Sequence, residues 1–379
     1  MTSVLLAISG GISAYKTPEL VRLFRKQNIV VKTILSKSAE TFVTAATLSV
    51  VSEGKTWTDI DFLDPNSFHL KLSRSSDVLL IAPATANTIA KFAYGIADNL
   101  LTTLFLSFKG QIVIAPAMHT EMWENSATQE NIAKLRSRGV WIIEPETGDL
   151  ACGDKGIGRL ADLNWIVECV QMTQYPRLNL QGKKVLITSG GTVEEIDPVR
   201  VITNKSTGKL GLSLAKRAHF EGADVRFLST SHVNHPGFSK VITVSTVASL
   251  DKSVNEEASH ADVIYMAAAV SDFSVKKSKQ KLSRQENLNL DLEKTPDILA
   301  SLIKDPSCLY IGFCLADESM ESIAKEKLKK KGLDYIVGNS SQSFGKDIRT
   351  FKVFSKDGNV KSYEALSLHQ MSEELLSLI

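Results

Sequence analysis

The stretch that most constrains this chain is residues 185–211, near the middle of its 379 residues. It opens with an apolar run at 185–187, as expected of a strand buried on both faces. A Ser-Gly-Gly-Thr turn follows at 189–192, where backbone amides can approach a phosphate. A rigid, charged Asp-Pro turn at 197–200 and a polar loop at 204–209 precede a periodic run that indicates a helix. This order predicts a nucleotide-binding α/β unit; the alternative is a structural glycine turn between a strand and a helix.

An apolar run followed by Gly-Gly also occurs at residues 4–11. Together with the length of the chain, this recurrence predicts two successive α/β domains. We expect an N-terminal domain over residues 1–180 and a C-terminal domain over residues 181–379, joined by a polar, proline-containing linker at 176–182.

In the N-terminal half, short apolar runs alternate with helical patterns, which predicts an α/β fold with a doubly wound parallel sheet. The runs lie at residues 4–8, 30–35, 78–82, 111–115 and 140–143. Ligands of such sheets bind at the carboxyl ends of the strands. The polar residues just after each run are therefore candidates for a site.

Composition excludes several classes of function. A net charge of +2 gives no basic excess, so no nucleic-acid partner is expected. The four cysteines lack metal or disulfide-framework spacing and suit a reducing cytoplasm. No apolar run reaches the length of a membrane span and no charged leader is present, so we predict a soluble cytoplasmic protein without membrane partners. His232 and His235 have no nearby cysteine or carboxylate, which argues against a metal site there.

Polar segments follow the strand runs of the N-terminal half. They contain the candidate residues Gly10, Ser13, Pro83, Thr85, Ala86, Asn87, Thr88, His119 and Met122, and a glycine-rich loop with Ala151, Cys152 and Arg159. Together these segments resemble the flavin-dependent cysteine decarboxylases of the phosphopantothenoylcysteine decarboxylase type. His69 matches the position of that family's active-site histidine, although a lone histidine beside leucines is more often structural.

The resemblance implies a flavodoxin-like fold that binds FMN without covalent attachment, at Gly10, Ser13 and residues 83–88. It implies that His119 and Met122 hold the substrate carboxylate. Ala151, Cys152 and Arg159 belong to a flap that closes on the substrate. His119 departs from the family pattern, which has Asn at this position, but histidine also offers hydrogen-bond donors.

The residue types of the flap fit the chemistry of that family. FMN oxidises the carbon that bears the thiol to a thioaldehyde, whose C=S group accepts the electrons released on loss of CO2. The enethiol that remains needs electrons from the flavin and a proton from an acid, and Cys152 on a water-excluding flap suits that donor. A buried structural thiol is the alternative, but Gly148, Gly153, Gly156 and Gly158 favour a mobile loop. Cys169 lies in a helical pattern and is predicted to be in the core.

The C-terminal half resembles phosphopantothenate–cysteine ligase, which implies a second, Rossmann-like α/β domain that uses CTP and Mg2+. The resemblance places Asn204 and Lys281 in catalysis and implies a CTP site formed by Met266, Ala267, Ala268, Asp272, Lys281, Pro296, Asp297, Ile298, Leu299, Phe313, Lys327 and Lys331. Pro296 is expected in the first turn of a helix whose free amides face phosphate. There is no GxxxxGK[ST] motif, so the site is not of the Walker type.

Two positions depart from the ligase pattern. Residues 276–284 form a strongly basic loop, in which Ser283 replaces a lysine of the family pattern, so Lys279 is the alternative to Lys281. Ala316 replaces a glutamate, whose charge Asp317 or Glu318 could supply. Phe344-Gly345 matches a final loop of the family, and the metal ligands are not indicated.

Over the whole chain, the resemblance implies a bifunctional enzyme of coenzyme A biosynthesis. Its partners would be 4′-phosphopantothenate, cysteine and CTP, and a homo-oligomer is expected. Two alternatives remain: a flavin-binding electron carrier or regulatory module fused to a nucleotide-binding domain, and a flavin decarboxylase acting on peptide cysteines. The Cys152 flap argues against the first and the ligase half against the second.

Overall fold

The computed structural model describes residues 3–63, 68–230, 238–283, 289–317, 319–340, 346 and 348–379. The chain divides into two compact units, Met1–Pro176 and Arg177–Ile379. None of the helices in the described ranges combines the length and apolar character that crossing a bilayer requires.

The first unit is built on a six-stranded parallel sheet with the strand order β3-β2-β1-β4-β5-β6. Its strands are β1 (Ser3–Ile8), β2 (Val30–Leu35), β3 (Thr56–Trp57), β4 (Val78–Ala84), β5 (Gln111–Pro116) and β6 (Trp141–Ile142). Its helices are α1 (Thr17–Lys26), α2 (Ala45–Ser52), α3 (Phe68–Ser73), α4 (Ala86–Tyr94), α5 (Leu100–Ser107), α6 (Thr120–Glu124), α7 (Ser126–Ser137) and α8 (Leu163–Met172), with 3-10 turns at Ile12–Lys16, Ala39–Thr41 and Asp59–Leu63. A two-stranded hairpin of β7 (Glu146–Asp149) and β8 (Lys155–Arg159) lies outside the sheet.

The predicted strands of the first unit are confirmed, because the apolar runs form the central strands. All seven residues of β4 are buried, as covering a parallel sheet with helices on both faces requires. The strand formed by the run at 140–143 is shorter than predicted, because only Trp141 and Ile142 pair at the edge of the sheet. Cys169 is fully buried in α8, as predicted.

The second unit carries an eight-stranded mixed sheet with the order β13-β12-β9-β14-β17-β18-β19-β20. Its strands are β9 (Lys184–Ser189), β12 (Asp224–Ser229), β13 (Lys240–Thr243), β14 (Val263–Met266), β17 (Leu309–Leu315), β18 (Tyr335–Asn339), β19 (Ile348–Ser355) and β20 (Val360–Ser367); two small hairpins pair β10 (Val193–Glu195) with β11 (Val201–Thr203) and β15 (Phe273–Val275) with β16 (Leu292–Lys294). Its helices are α9 (Lys209–Phe220), α10 (Val247–Ala258), α11 (Ile298–Ser301), α12 (Met320–Lys330) and α13 (Leu368–Leu376). The first six strands of the order are parallel, and β19 and β20 extend the sheet in antiparallel fashion.

Both sheets contain the same doubly wound arrangement. In each, the chain leaves a central strand toward one side and later returns to the other side, so the order reverses between β1 and β4 and between β9 and β14. Ligands of open α/β sheets bind at this switch point, outside the carboxyl ends of the strands. The fold therefore supplies one binding crevice in each unit.

The segment predicted as a linker is packed against the second unit. Leu180 is 3% exposed and lies in the core around β9. The Asn179 amide donates to Glu221, and the Gly182 amide donates to the Gly222 carbonyl. The boundary between the two units falls at the start of the predicted linker, and residues 178–182 belong to the second unit because Leu178 and Leu180 pack on its core.

A buried ion cluster joins α9 to α13 in the second unit. Arg217, 1% exposed, contacts Glu221 at 2.5 Å and Glu373 at 2.8 Å. Burial raises the pKa of Glu373, and the Arg217 guanidinium opposes that rise. The positive charge of Arg217 thereby offsets the cost of burying the carboxylates of Glu221 and Glu373 where α9 and α13 meet.

Candidate active sites

In the first unit, Ser9 ties together the two loops at the switch point. Its hydroxyl donates to the Pro83 carbonyl at 2.7 Å and accepts from the Thr85 amide at 3.0 Å. Ser9 is 1% exposed, so its hydroxyl supports the crevice from below. A Cβ added at Gly11 would lie 3.6 Å from the Thr85 methyl group, so the loops after β1 and β4 lie side by side.

The predicted flavin-site residues lie along these two loops. Gly10 and Ser13 are half-buried on either side of the start of the Ile12–Lys16 turn. Thr85 caps α4 by accepting from the Thr88 amide, and Asn87 is exposed. Pro83 and Ala86 complete the segment, at the end of β4 and the start of α4. The structure thus brings all seven residues to the carboxyl edge of β1 and β4.

The hairpin that carries Cys152 is anchored at its β8 strand. The Met118 amide donates to the Gly158 carbonyl at 2.9 Å. Gly158 has φ +141°, and a Cβ there would lie 2.2 Å from the Met118 carbonyl oxygen. Only glycine permits this approach, so the hairpin is held against the loop that begins α6. Cys152 is exposed at the tip between the strands, which excludes the buried structural thiol.

At the tip of the hairpin, three polar side chains form a cluster: Cys152, Asp154 and His119. Asp154 Oδ2 accepts from His119 Nε2 at 3.0 Å and from Cys152 Sγ at 3.5 Å. The His119 hydrogen bond, followed by that of Cys152, lowers the pKa of Asp154. His119 also caps α6, since its Nδ1 accepts from the Glu121 amide. The cluster brings the predicted proton donor and the predicted carboxylate-binding residue together.

The remaining candidates of the first unit lie around these elements. Met122 is 49% exposed on α6, and Ala151 and Arg159 are exposed on the hairpin. His69 lies half-buried near the start of α3. One cation was missed by the sequence analysis: burial, followed by the nearby Arg159 guanidinium, lowers the pKa of Lys16. Lys16 ends the turn that follows Gly10 and Ser13, and the carboxylates of Glu146 and Asp162 oppose the lowering of its pKa; no motif marks Lys16.

A cavity of about 620 Å³ lies at the switch point of the second unit. It is lined by twelve of the predicted residues: Asn204, Met266, Ala267, Ala268, Asp272, Pro296, Asp297, Ile298, Leu299, Phe313, Lys327 and Lys331. The loop after β11 forms one wall and the loop after β14 forms another. Residues from five separate segments of the sequence thus share one cavity.

The cavity wall carries more positive than negative charge. Its cations are Lys205, Lys209, Lys327, Lys331 and Arg349, and its anions are Asp272 and Asp297. Lys331 Nζ pairs with Asp297 Oδ1 at 2.9 Å. The first turn of α9 also lines the cavity, after Gly208 in a left-handed conformation that leaves this helix end without a side-chain cap. Amides and cations at this end of the cavity favour an anionic ligand.

Two parts of the predicted phosphate chemistry are wrong in detail. The 189–192 turn does not line the cavity: the Thr192 amide donates to the Ala269 carbonyl, and the Gly190 carbonyl accepts from the Ala269 amide. This turn is structural, since it joins the loops after β9 and β14. Pro296 precedes the cap residue Asp297, whose carboxylate accepts from the Ala300 amide, so Pro296 is outside the short α11.

Asn204 supports a wall of the cavity. Its Nδ2 donates to the carbonyls of Ala269 and Val270, both at 3.1 Å. These bonds fix the orientation of the side-chain amide and the position of the 269–270 backbone. Because the side-chain amide is planar, these two bonds of Nδ2 also fix the direction of the Asn204 side-chain oxygen.

The basic loop is docked on the turn between β10 and β11. The Ser278 amide donates to the Ile196 carbonyl at 2.9 Å, and the Leu282 amide donates to Asp197 Oδ2 at 3.1 Å. Lys279 and Lys281 are exposed between these anchors, and neither lines the cavity.

Asp197 is the main anchor of this loop and is 1% exposed. Its other oxygen accepts from the amides of Val199 and Arg200 at 2.7 and 2.8 Å. Burial acts against the ionised form, but these amides, the Leu282 amide and Arg200 hold the pKa of Asp197 below its usual value. The Asp-Pro turn predicted from the sequence is thus a junction between two loops.

Sequence reasoning missed two buried polar residues of the cavity wall, Asn339 and Arg349. Asn339 ends β18, is 8% exposed, and has a buried side-chain oxygen without a hydrogen-bond partner among the described residues. Arg349 lies at a register shift between β19 and β20 and donates to the Lys346 carbonyl. The residues of β19 alternate between exposed and buried, and the matching alternation of polar and apolar residues in the sequence is a signal that could have located this strand. Ala316 does not line the cavity; Glu318, His232, His235 and residues 344–345 lie outside the described residues.

The matches to two family models agree with this two-unit organisation. The family described as "Flavoprotein" matches residues 1–174, and the family described as "DNA/pantothenate metabolism flavoprotein C-terminal domain" matches residues 180–379. A solved C-terminal domain of a coenzyme A biosynthesis bifunctional protein is 32% identical, with a TM-score of 0.46, and covers 54% of this chain and 96% of its own.

Curated relatives match over nearly the full length. The coenzyme A biosynthesis bifunctional protein CoaBC of Vibrio cholerae is 36% identical over 394 residues, covering 98% of both chains. The protein of the same name from Bacillus subtilis is 37% identical over 391 residues, covering 100% of this chain and 96% of the relative. The chain therefore belongs to the family of bifunctional coenzyme A biosynthesis proteins.

Proposed function

We propose that each unit holds the site of one of two successive reactions. The second unit joins 4′-phosphopantothenate to cysteine with CTP and Mg2+ through an acyl-cytidylate, releasing pyrophosphate and CMP. The first unit decarboxylates the resulting phosphopantothenoylcysteine to 4′-phosphopantetheine with FMN. One observation carries the proposal: the first unit holds an exposed cysteine hairpin against the loop after β5, and the second unit holds a cationic cavity at its switch point.

The donor set of the first unit fits a flavin mononucleotide. Ser13 and Asn87 offer polar groups on adjacent loops, and Lys16 supplies a cation for a phosphate. Bound FMN would supply the two-electron redox chemistry. The chain's own residues would do the rest: His119 and Met122 hold the substrate carboxylate beside the hairpin, and Cys152 delivers the thiol proton to the enethiol carbon. The exposure of Cys152 and its contact with the His119 cluster support that role.

The charges of the second cavity support CTP as the co-substrate. Forming an acyl-cytidylate builds negative charge on phosphate, which preorganised cations and amides stabilise. Lys209, Lys327 and Lys331 supply the cations, and the first turn of α9 supplies amides. The cavity volume lies within the range of about 300–1,000 Å³ usual for small-molecule sites. Bound Mg2+ would supply further positive charge for the phosphates of the nucleotide.

We infer a homo-oligomer in the cytoplasm from the family pattern. The four cysteines are free, which suits a reducing compartment. Size-exclusion chromatography with light scattering would measure the assembly.

The proposal predicts a coupled reaction. Incubation with phosphopantothenate, cysteine, CTP and Mg2+ should release pyrophosphate and CO2 in equal amounts and yield phosphopantetheine. Omitting cysteine should stop CO2 release. Replacing CTP by ATP should slow pyrophosphate release, since the matched cavity residues are those of CTP-using ligases. Absence of both products would favour a flavin-binding regulatory module, and equal rates with ATP would contradict the nucleotide assignment.

The purified protein should also carry about one FMN per chain. The reason is the seven-residue crevice along the edge of β1 and β4, with Lys16 beside it. The measurement is the flavin absorbance of the protein against its concentration, before and after FMN is added. A colourless protein that takes up no FMN would remove the decarboxylase half of the proposal.

The anchoring of the basic loop gives a further prediction. Asp197→Asn should release this loop, because an amide group accepts fewer of the hydrogen bonds that Val199, Arg200 and Leu282 direct at the carboxylate. Trypsin should then cut after Lys279 or Lys281 several-fold faster than in the parent, which mass spectrometry of timed samples would show. Glu195→Gln is the matched control, since it removes a solvent-exposed partner of Lys277 and leaves the backbone anchors intact. Unchanged cleavage in Asp197→Asn would show that Asp197 does not hold the loop.

A further inference from the structure

Three side chains at the hairpin tip carry metal-ligand atoms, and neither proposed reaction assigns a metal to them. The Cys152 sulfur, an Asp154 carboxylate oxygen and a His119 ring nitrogen all lie within 4.8 Å of one another. Thiolate, imidazole and carboxylate are the groups that bind zinc in proteins. His119 stands where the decarboxylase pattern has Asn, so this chain has an imidazole in a position that the pattern fills with an amide. Cysteine spacing could not predict the group, because His119 and Asp154 are 35 residues apart along the chain.

The distances within this cluster agree with those of a tetrahedral zinc site. Zn–S bonds of about 2.3 Å, and Zn–O and Zn–N bonds of about 2.0–2.1 Å, place the sulfur about 3.5 Å and the nitrogen about 3.3 Å from the oxygen. In the structure, Cys152 Sγ lies 3.5 Å and His119 Nε2 lies 3.0 Å from the same oxygen, Asp154 Oδ2. A zinc ion therefore replaces both hydrogen bonds after only small rotations of the side chains.

Zinc binding costs this cluster little. Coordination through Nε2 requires the His119 proton on Nδ1, which removes the hydrogen bond from the Glu121 amide, and that bond is long at 3.4 Å. Zinc also replaces the thiol proton of Cys152, which passes to solvent. Cys152 and Asp154 are exposed, so the ion can reach the site and water can fill a fourth position. The Mg2+ of the proposed ligase reaction prefers oxygen ligands, so it does not compete for this site.

We propose that Cys152, His119 and Asp154 form a zinc site and that bound zinc reversibly inhibits the decarboxylation. The site itself follows from the geometry of the cluster. The inhibition rests on the proposed function, in which Cys152 delivers a proton and His119 holds the substrate carboxylate. A zinc ion occupies both groups at once: it displaces the thiol proton, and it takes up the ring nitrogen that would contact the carboxylate.

Isothermal titration calorimetry of the flavin-loaded protein with zinc chloride, without substrate, tests the site. The parent should bind about one zinc per chain. Cys152→Ser, His119→Asn and Asp154→Asn should each bind this zinc at least about tenfold more weakly, because even a group that only supports a ligand is worth roughly 10–100-fold in metal affinity. Asp149→Asn is the matched control: it removes a carboxylate from the same hairpin, outside the cluster, and should bind zinc like the parent.

Decarboxylation of supplied phosphopantothenoylcysteine tests the inhibition. The substrate is itself a thiol, so a metal buffer fixes free zinc at ten times the parent's dissociation constant, and each protein is compared with its own rate in EDTA. The parent and Asp149→Asn should slow about tenfold, as the occupancy of one site requires, and Asp154→Asn no more than about twofold. Adding EDTA to the inhibited parent should restore its rate.

The two experiments fail separately. A parent that binds no zinc, or cluster variants that bind it like the parent, would overturn the site. Zinc binding that leaves decarboxylation by the parent unchanged would overturn the inhibition. The calorimetry needs no turnover, so its result stands apart from a failure of the proposed function.

Discussion

Cys152→Ser is expected to stop phosphopantothenoylcysteine decarboxylation late, after CO2 has been lost. An alcohol is a far weaker acid than a thiol, so the serine cannot supply the final proton, and steady-state turnover should fall by about 10²–10⁴-fold. Carbon dioxide should still appear in an amount close to one per flavin. The flavin absorbance should bleach and stay bleached, and the enethiol should be found by mass spectrometry.

His69→Asn provides the comparison, because the resemblance places His69 in an earlier step. That variant should show neither bleaching nor CO2 release. Cys169→Ser is the matched control for the loss of a thiol, since Cys169 is fully buried in α8 and away from the hairpin. If Cys152→Ser turns over like the parent, Cys152 is not the proton donor and its exposed position at the hairpin tip has another purpose.

The sequence predicted the central strands well, because their signal is local. A run such as Val30–Leu35 becomes a buried strand wherever helices cover both faces, and its bounds agree with the prediction. The recurrence of apolar run and Gly-Gly also identified the strands β1 and β9, each of which borders a switch point. Switch points follow from strand order, so the candidate crevices followed as well.

The features that could not be predicted from the sequence depend on contacts between residues that are distant along the chain. The 189–192 turn has the composition of a phosphate loop, but whether its amides face a ligand is decided by Ala269, about eighty residues away. Leu178 and Leu180 lie in a polar stretch with the composition of a linker, and only the folded structure shows that both pack on the core around β9. Asn339 and Arg349 belong to no motif, and they reach the cavity only because β18 and β19 pair.

Lys281→Gln is expected to lose acyl-cytidylate formation itself. A lysine that acts as a preorganised donor to the developing phosphate charge is worth about 2–4 kcal/mol, which corresponds to roughly 30- to 1,000-fold in rate. Lys281 does not line the cavity in this structure, so its effect requires the loop between the Ser278 and Leu282 anchors to reach the bound nucleotide. The measurement is formation of acyl-cytidylate from labelled CTP and phosphopantothenate in the absence of cysteine, followed by mass spectrometry.

Asn204→Asp should separate the two half-reactions of the ligase. Aspartate cannot donate to the Ala269 and Val270 carbonyls, and its charge repels them, so this wall of the cavity should shift. The cations Lys209, Lys327 and Lys331 stay in place, and we expect acyl-cytidylate to form and to convert poorly to the cysteine amide. Both the Asn204→Asp and Lys281→Gln variants should keep FMN and decarboxylate supplied phosphopantothenoylcysteine. The predicted FMN-site residues belong to the first unit, whereas Asn204 and Lys281 belong to the second. If Lys281→Gln makes the intermediate at the parent rate and Lys279→Gln does not, Lys279 is the lysine that acts, and the register assigned to the loop is wrong by two residues.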